Sequence, residues 1–406
     1  MSKFNVIALG ARDYYQVALA LDEHDLLHRV VTDFYTPDFL RKPLKKRFEE
    51  RLSSKKSISL IAWMRVYKAA YRITKWRKAE HISTDYFFGF ITGLYTYMSC
   101  NRAVVYSYYL EGFTAFYRLI KKEPEALVVF QVHPTPWHVN RVLSEDQDCH
   151  IRAGGGGFLP ELEVNYSDDG YHRYLQGVRD CDAVLCASTF TAKSVQSLEE
   201  VDLPFFVAPY GNRLAGNIDG ALEVPSVGEA LTGKVKLLSV CQVIQRKGLH
   251  HAFAAMRGFE ESFEWEIVAT RVDEEISRLA PSNVRFLSSL TDSELAEKFE
   301  QSDLFVMPSL IEGFGLVYVE SASFGTPVLC TENTGAADFI VHDETGYVVD
   351  PGSPESIRAV FQKVAADPGQ LRIMRSKVKS TARSLTWGRF REKVVDAVKA
   401  QVIPTN

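Results

Sequence analysis

The residues best suited to chemistry lie in the segment PSLIEGFGLVYVE, at 308–320. A buried strand pattern precedes it, Glu312 follows, and a Gly-Phe-Gly triplet then opens a predicted helix. Glycines at such a turn let backbone N–H groups approach an anion closely, and the helix N-terminus adds the positive end of a dipole. The segment therefore predicts a pyrophosphate-binding turn. Its predicted donors are the backbone amides of Gly313, Phe314, Gly315 and Leu316.

A second carboxylate, Glu320, lies eight residues after Glu312. Eight residues of helix correspond to roughly 12 Å along the axis. Two acceptors at that separation suit hydroxyl groups on the two sugars of one nucleotide-sugar. The alternative is an acidic residue at a helix N-terminus together with an unrelated, solvated glutamate.

Two adjacent cations, Arg246 and Lys247, follow a strand pattern at 235–240 and precede Gly248 and a helical pattern. Cations at a strand-to-helix turn can stabilise a diphosphate leaving group as it gains negative charge. The alternative is an exposed pair at a helix start, where the helix dipole mildly disfavours positive charge.

Twelve short apolar runs must position these residues, and they alternate with stretches of helical period. The runs are continuous, which is typical of strands buried on both faces of parallel sheets. Strands that alternate with helices predict right-handed βαβ units in doubly wound α/β sheets. The predicted strands are 5–9, 29–34, 103–107, 127–132, 183–187, 205–208, 235–240, 265–269, 284–287, 304–307, 327–330 and 347–349.

The series of strands breaks once, at a stretch rich in Gly and Pro between Gly211 and Gly233. We therefore predict a Rossmann-like domain at 1–212, a linker at 213–233 and a second Rossmann-like domain at 234–386. The two domains are expected to face a central cleft. The segment 387–406 has a helical spacing of apolar residues, and we expect it to pack back on the first domain.

These motifs together resemble the retaining glycosyltransferases of family 4, within the glycosyl transferases group 1, which have the GT-B fold. The family pattern P-S-x-x-E-G-F-G-x-x-x-x-E corresponds to 308–320, and G-x-P-V lies within SFGTPVLC at 323–330. The match continues through ETGYVVDP at 344–351. It is strong over 235–351 and weaker in the first domain, where VLCASTFTAKSVQ at 184–196 and VAPYGN at 207–212 carry it.

The resemblance implies a role for each matching residue of the second domain. Glu320 would accept hydrogen bonds from the nucleotide ribose, and Glu312 would contact the donor hexose. Arg246 and Lys247 would neutralise the departing diphosphate, and the amides of 313–316 would bind phosphate and sugar.

Two positions of the first domain complete the predicted site. Members of the family often place a histidine after the strand that corresponds to 127–132, which implies that His133 hydrogen-bonds the donor sugar. His138 is the less favoured candidate, and either residue could instead be an ordinary surface or core histidine. Gly10 follows the first strand and is a weak candidate for the donor phosphates, with an ordinary turn as the alternative.

The implied reaction transfers a hexose from a nucleoside diphosphate sugar to a hydroxyl of a glycan or lipid-linked acceptor, with retention, in cell-surface polysaccharide or glycolipid synthesis. The family needs no metal and no other cofactor. Alternatives are a nucleotide-sugar epimerase of the same fold and a catalytically weak GT-B scaffold partner. The chain departs from the family pattern at Cys241-Gln242, where Gly-Arg is common, and at Asp338, where glutamate is common.

Four successive glycines, at 154–157, cannot maintain a helix or strand. We expect a mobile loop there. It could fold over the acceptor as a lid, or it could be a tolerated surface insertion.

The chain has a net charge of −4 and therefore lacks the excess of basic residues that is typical of nucleic-acid-binding proteins. Its charge is, however, unevenly distributed along the sequence. Residues 41–78 hold fourteen lysines and arginines against two glutamates, a charge of +12, so the rest of the chain carries −16. Four of these cations fall on one face of a predicted amphipathic helix at 60–78. We predict docking on an anionic membrane surface; the alternative is that the apolar face packs into the first domain and the charges are solvated.

Targeting and redox features favour a cytoplasmic protein, peripheral on the inner face of the membrane. The N-terminus lacks the apolar core and cleavage site of a signal peptide, and no run of roughly 18 apolar residues occurs. The six cysteines show no metal-ligand spacing and are predicted to be reduced thiols.

Overall fold

The computed structural model describes residues 3–8, 12–33, 35–36, 49–60, 84–158, 168–212, 214 and 233–401. Gly10, most of the predicted linker and most of the basic segment 41–78 lie outside these residues. The predictions made for them, including membrane docking, therefore remain predictions.

The first sheet has seven strands, all paired in parallel, in the order β3-β2-β1-β4-β5-β6-β7. The strands at its centre are almost wholly buried, as expected for a sheet covered on both faces, whereas the two edge strands are partly exposed. They are β1 (Phe4–Ile7), β2 (Leu27–Thr32), β3 (Ser57–Ser59), β4 (Arg102–Tyr106), β5 (Ala126–Gln131), β6 (Ala183–Cys186) and β7 (Phe205–Val207).

The described helices of the first domain connect these strands. They are α1 (Gln16–Glu23), α2 (Thr84–Ser99), α3 (Leu110–Leu119), α4 (Pro136–Arg152), α5 (Asp168–Arg179) and α6 (Thr189–Gln196). Helices α2 and α3 pack very closely, because a Cβ at Gly89 would lie 2.1 Å from the carbonyl oxygen of Tyr109. Two glycines of α2, Gly89 and Gly93, thus permit a backbone approach that larger residues would prevent.

The second sheet has six parallel strands in the order β10-β9-β8-β11-β12-β13. They are β8 (Val235–Val240), β9 (Phe263–Val268), β10 (Val284–Leu287), β11 (Leu304–Val306), β12 (Val328–Thr331) and β13 (Gly346–Val349). The helices are α7 (Leu249–Met256), α8 (Glu274–Arg278), α9 (Asp292–Gln301), α10 (Leu316–Ser323), α11 (Pro354–Ala366), α12 (Gly369–Ala382) and α13 (Trp387–Ala400).

Strand pairing sets the neighbours at the carboxyl edge of each sheet. In the second domain Leu238 of β8 pairs with Phe305 of β11, so the turns that follow these two strands are adjacent. In the first domain Gln131 of β5 pairs with Cys186 of β6. Ligands of open α/β sheets bind beyond these carboxyl edges, which is where the predicted site residues lie.

All twelve predicted strands are present, with ends displaced by no more than two residues. The structure adds β3, which no apolar run predicts because its sequence is Ser-Ile-Ser. Among the described strands, β3 lies at the edge of the sheet and pairs only with β2. Its other side has no described neighbouring strand in the sheet, so it does not need the apolar sequence of a central strand. The two doubly wound α/β sheets agree with the fold class expected from the sequence.

Helix α13 leaves the second domain and packs on the first. Arg391 contacts α1 through Nε, 2.7 Å from Glu23 Oε2, and through Nη1, 2.8 Å from Gln16 Oε1. Phe390 is fully buried, with its ring centroid 6.1 Å from that of Phe130 of β5. Both charge and apolar packing therefore hold the C-terminal helix against the first domain.

The glycine run after α4 contacts the second domain. The Gly156 N–H donates to Glu275 Oε1 at 2.6 Å, and Phe158 lies in a buried apolar cluster formed mainly by second-domain residues. Gly156 and Phe158 therefore contact the second domain, within a segment for which the four glycines predict mobility.

All six cysteines are free thiols in the structure. Among the described helices, none is both long enough and apolar enough to cross a membrane.

Replacing Phe390 with alanine should lower the free energy of unfolding by about 3–5 kcal/mol, because it removes a fully buried ring at the contact between α13 and the first domain. Urea denaturation of the purified variant measures this loss. Lys393→Ala, an exposed position on the same helix, is the matched control and should change stability by less than about 0.5 kcal/mol.

Candidate functional site

The centre of the candidate site is a buried carboxylate paired with two cations. Glu312 is 6% exposed, and its Oε2 accepts a hydrogen bond from Arg246 Nη1 at 2.7 Å. The same oxygen accepts a hydrogen bond from Lys247 Nζ. Three residues chosen from the sequence for separate reasons therefore meet at one point.

The charge state of Glu312 follows from these neighbours. Burial alone would raise the pKa of its carboxyl, but the charges of Lys247, Arg246 and His133 outweigh burial and hold the pKa well below its ordinary value. Glu312 is thus ionised at neutral pH. The ion pair keeps two cations in place for an incoming anion.

Backbone contacts hold the two turns of the second domain together. The Leu310 N–H donates to the carbonyl oxygen of Arg246 at 2.9 Å. Gly248 has φ of +68°, and a Cβ there would lie 2.0 Å from the carbonyl oxygen of Pro308. Glycine after Arg246-Lys247 is therefore required both by the left-handed backbone and by the close approach of the neighbouring turn.

Gly313 brings this carboxylate turn against the first domain. A Cβ at Gly313 would lie 2.4 Å from the carbonyl oxygen of Val132 and 3.1 Å from Nδ1 of His133. The Gly313 carbonyl oxygen accepts hydrogen bonds from the Ser188 and Thr191 hydroxyls of the first domain. His133 consequently lies beside the Glu312 turn, across the boundary between the domains.

Two of the predicted anion-binding amides, those of Gly315 and Leu316, lie at the start of α10. Phe314 precedes the helix, and the Gly313 N–H donates to Glu312 Oε1 at 3.3 Å. Gly315 caps this helix with φ of +79°, and Leu316 is its first residue. The first amides of a helix have no internal acceptor and point outward, so they suit an anion. Glu320 is buried in the second turn of α10, at 4% exposed.

The side chain of Phe314 is buried between the two domains. It is 3% exposed, and its ring centroid lies 5.3 Å from that of Tyr210 and 6.5 Å from that of Phe339. Phe314 can therefore offer only its backbone to a ligand. The predicted role of its amide does not require the side chain.

His138 makes a different contact. It is in the first turn of α4, and its ring packs against Phe190 with centroids 5.5 Å apart. His133, rather than His138, is the histidine whose charge acts on Glu312.

Several residues at the domain boundary were missed in the sequence analysis. Asp338 Oδ2 accepts the Thr189 N–H at 2.8 Å, at the start of α6, so the aspartate that departs from the family pattern contacts the other domain. Ser188 caps α6 by accepting the Thr191 N–H at 3.1 Å. The Ser-x-x-Thr spacing could have indicated the helix cap, but not the contact with Gly313.

Asp13 was also missed. It follows β1 at the carboxyl edge of the first sheet, and Asp13, Tyr14 and Tyr15 all have positive φ, at 46°, 54° and 58°. Three successive non-glycine residues in this region are strained, and such strain tends to collect at functional sites. Burial raises the pKa of Asp13 from 3.8 to about 7, although hydrogen bonds from Tyr106 and the Val17 N–H oppose it.

Solved structures share this architecture over almost the whole chain. Sucrose-phosphate synthase from Thermosynechococcus elongatus superposes with a TM-score of 0.64 at 15% identity, covering 99% of each chain. HepE of Anabaena, solved with UDP and glucose, superposes with a TM-score of 0.61 at 12% identity, covering 98% of this chain and 100% of its own. The protein therefore has the GT-B fold, as predicted.

Sequence comparisons match part of the chain. Residues 225–384 match the family model of the glycosyl transferases group 1, which confirms the predicted resemblance for this domain. A D-inositol 3-phosphate glycosyltransferase of Rhodococcus jostii is 26% identical over 125 residues, 31% of this chain and 28% of its own. The O-antigen chain mannosyltransferase B of Escherichia coli is 27% identical over 143 residues, 35% of each chain. The matched segments thus span about a third of these relatives.

Asp13→Asn should change how stability depends on pH. The folded-state pKa of Asp13 lies above its ordinary value of 3.8, so folding retains a proton that the unfolded chain releases. Between about pH 4 and pH 7 the wild type therefore loses stability from this group as the pH rises, whereas an asparagine does not titrate. Urea denaturation at several pH values should show that the free energy of unfolding of the variant increases relative to that of the wild type from about pH 5 to pH 8. A stability difference that stays constant across this range would contradict the assignment.

Proposed function

We propose that the protein is a retaining glycosyltransferase that transfers a hexose from a nucleoside diphosphate sugar to a hydroxyl of a glycan or lipid-linked acceptor. The observation that supports this most directly is the buried pairing of Glu312 with Arg246 and Lys247, beside the amides that begin α10. Cell-surface polysaccharide or glycolipid synthesis is the proposed pathway, and the name of one relative, the O-antigen chain mannosyltransferase B of Escherichia coli, supports it.

In the proposed mechanism, the donor diphosphate takes over the two cations that Glu312 holds in the structure. Arg246, Lys247 and the amides of 313–316 then stabilise the negative charge that develops as the diphosphate departs. Glu312, freed from part of its ion pairing, accepts hydrogen bonds from hexose hydroxyls. The acceptor hydroxyl attacks the anomeric carbon from the face that the diphosphate leaves, as the bond from that carbon to the diphosphate oxygen breaks, which gives retention. The hydroxyl proton passes to the departing diphosphate.

The remaining roles follow from position. Glu320, in the second turn of α10, accepts hydrogen bonds from the ribose hydroxyls. His133 lies beside Gly313 and donates a hydrogen bond to the hexose from the first domain. No metal is assigned to the transfer step, because Arg246, Lys247 and the backbone amides supply the positive charge. The acceptor binds on the first domain, and the basic segment 41–78 holds the enzyme at an anionic membrane.

Lys247→Ala should lower transfer by about 100-fold to 1,000-fold, because it removes charge stabilisation of the leaving diphosphate. Initial rates are measured with the sugar nucleotide that gives the largest thermal stabilisation in a panel of common donors, since a ligand that binds only the folded state raises its stability. Glu320→Ala should impair donor binding and turnover similarly. Lys236→Ala, an exposed lysine on β8, is the matched control and should transfer at the wild-type rate.

Glu312→Gln separates the two parts of the proposal. It leaves the cations without their carboxylate partner, so the free nucleoside diphosphate should bind more tightly than to the wild type. Transfer should nevertheless fall, because glutamine replaces the charged contact with the hexose. Calorimetric titration with the diphosphate and a rate assay measure the two effects, and weaker diphosphate binding would contradict the exchange of partners.

Product analysis distinguishes the alternatives. An epimerase would release nucleoside diphosphate without any acceptor and with a changed sugar configuration. A catalytically weak scaffold would show neither hydrolysis nor transfer with any donor while remaining folded. The anomeric configuration of the transferred sugar, read by NMR, tests retention: an inverted linkage would refute the proposed mechanism.

A further inference from the structure

A second polar cluster joins the domains through residues that the proposed transfer does not use. Asp146 lies on α4 of the first domain, and His250 and His251 begin α7 of the second. Asp146 Oδ2 is 3.1 Å from His250 Nε2, and Asp146 Oδ1 is 2.6 Å from His251 Nε2. One carboxylate therefore meets two imidazole nitrogens across the domain boundary.

The three side chains converge on one small volume. A carboxylate oxygen of Asp146 and a ring nitrogen of each histidine all lie within 4.8 Å of one another. Ligand atoms around a tetrahedral zinc ion, with bonds of about 2.0–2.1 Å, lie roughly 3.3 Å apart. Asp146 Oδ1 is 3.4 Å from His250 Nε2, which is already close to this length. The 2.6 Å contact of the same oxygen with His251 Nε2 needs to lengthen by less than about 1 Å, and the His251 side chain is 18% exposed.

Neighbouring groups fix the carboxylate. Gln245 Nε2 donates to Asp146 Oδ2 at 2.8 Å and to the carbonyl oxygen of Leu143 at 2.7 Å. This amide occupies one lone pair of Oδ2 and orients the plane of the carboxylate towards the histidines. Such supporting hydrogen bonds position the ligands of natural metal sites.

His250 is held in a largely buried position. It is 5% exposed. Its ring contacts Phe158, with centroids 4.9 Å apart, which limits access of water from that side. His250 Nδ1 has no hydrogen-bond partner in the part of the chain that the structure describes, so the ring gains no further orientation from that atom.

We propose that Asp146, His250 and His251 form a binding site for a divalent transition-metal ion that links the two domains. Two imidazoles and one carboxylate suit Zn²⁺ and related borderline ions, with water in the fourth position. The site takes no part in sugar transfer. Because its ligands come from both domains, the bound ion stabilises the arrangement in which α4 and α7 are in contact.

Other contacts near the cluster also hold the two domains together. His150 and the Gly156 N–H both contact Glu275 Oε1, and the His150 ring stacks on Phe158 with centroids 4.4 Å apart. Metal binding at the Asp146 cluster would therefore reinforce an existing contact rather than create a new one. Since His250 lacks a partner at Nδ1, we expect micromolar rather than nanomolar affinity.

Zinc titration of the tag-free, chelator-treated full chain tests the site. Calorimetry should show one saturable Zn²⁺ per chain, and the melting temperature should rise with Zn²⁺ and return after chelation. Asp146→Asn keeps the shape of the side chain but removes a charged ligand, and His251→Ala removes a partly exposed ligand. Each variant should bind Zn²⁺ at least about tenfold more weakly.

Two further variants serve as controls. His172→Ala removes an exposed histidine outside the cluster and should bind as the wild type does. Cys149→Ser removes the exposed thiol, a competing zinc ligand, and should also leave binding unchanged. A Co²⁺ spectrum without a thiolate charge-transfer band would support nitrogen and oxygen ligands.

The proposal is overturned by either of two results. One is the absence of saturable Zn²⁺ binding by the folded wild-type chain. The other is equal Zn²⁺ affinity in the wild type, Asp146→Asn and His251→Ala. Circular dichroism of each variant confirms that it is folded. Donor binding, measured with the sugar-nucleotide panel, is independent of this result, so loss of one proposal leaves the other intact.

Discussion

The candidate site depends on one buried ion pair. A carboxylate as buried as that of Glu312 would be costly to ionise alone, and two cations next to each other would repel. Their pairing resolves both problems and fixes the turns that follow β8 and β11 relative to each other. An anionic ligand that competes for the same cations therefore enters a site that is already ordered.

The second constraint is the close contact of backbones at the domain boundary. Gly313 has no room for a Cβ beside Val132 and His133, and its carbonyl oxygen is held by the hydroxyls of Ser188 and Thr191. Phe314 and Tyr210 add apolar contact at the same place. The glycine that the sequence suggests for anion binding thus also determines how near the two domains approach each other.

Much of the fold follows from local patterns. The strands at 235–240 and 284–287 agree with the structure residue for residue, because short runs of apolar and β-branched residues between turns predict strands even where a lysine or an arginine interrupts them. The strand β3 does not follow, because an edge strand of serines lacks that pattern. The glycine run at 154–157 shows what composition leaves out. Its glycines predict mobility, whereas the contact of the Gly156 N–H with Glu275 depends on the packing of the two domains.

By itself the sequence determined the βαβ order, the division into two domains and the residue types of the donor turns, since these depend on periodicity and on neighbours close in the chain. Only the tertiary structure decided that Glu312 pairs with cations more than sixty residues away, that His133 lies beside Gly313, and that Asp146 meets His250 and His251. The physical reason is that these contacts depend on strand order and on domain packing. Burial and charge then select partners that lie far apart in the chain.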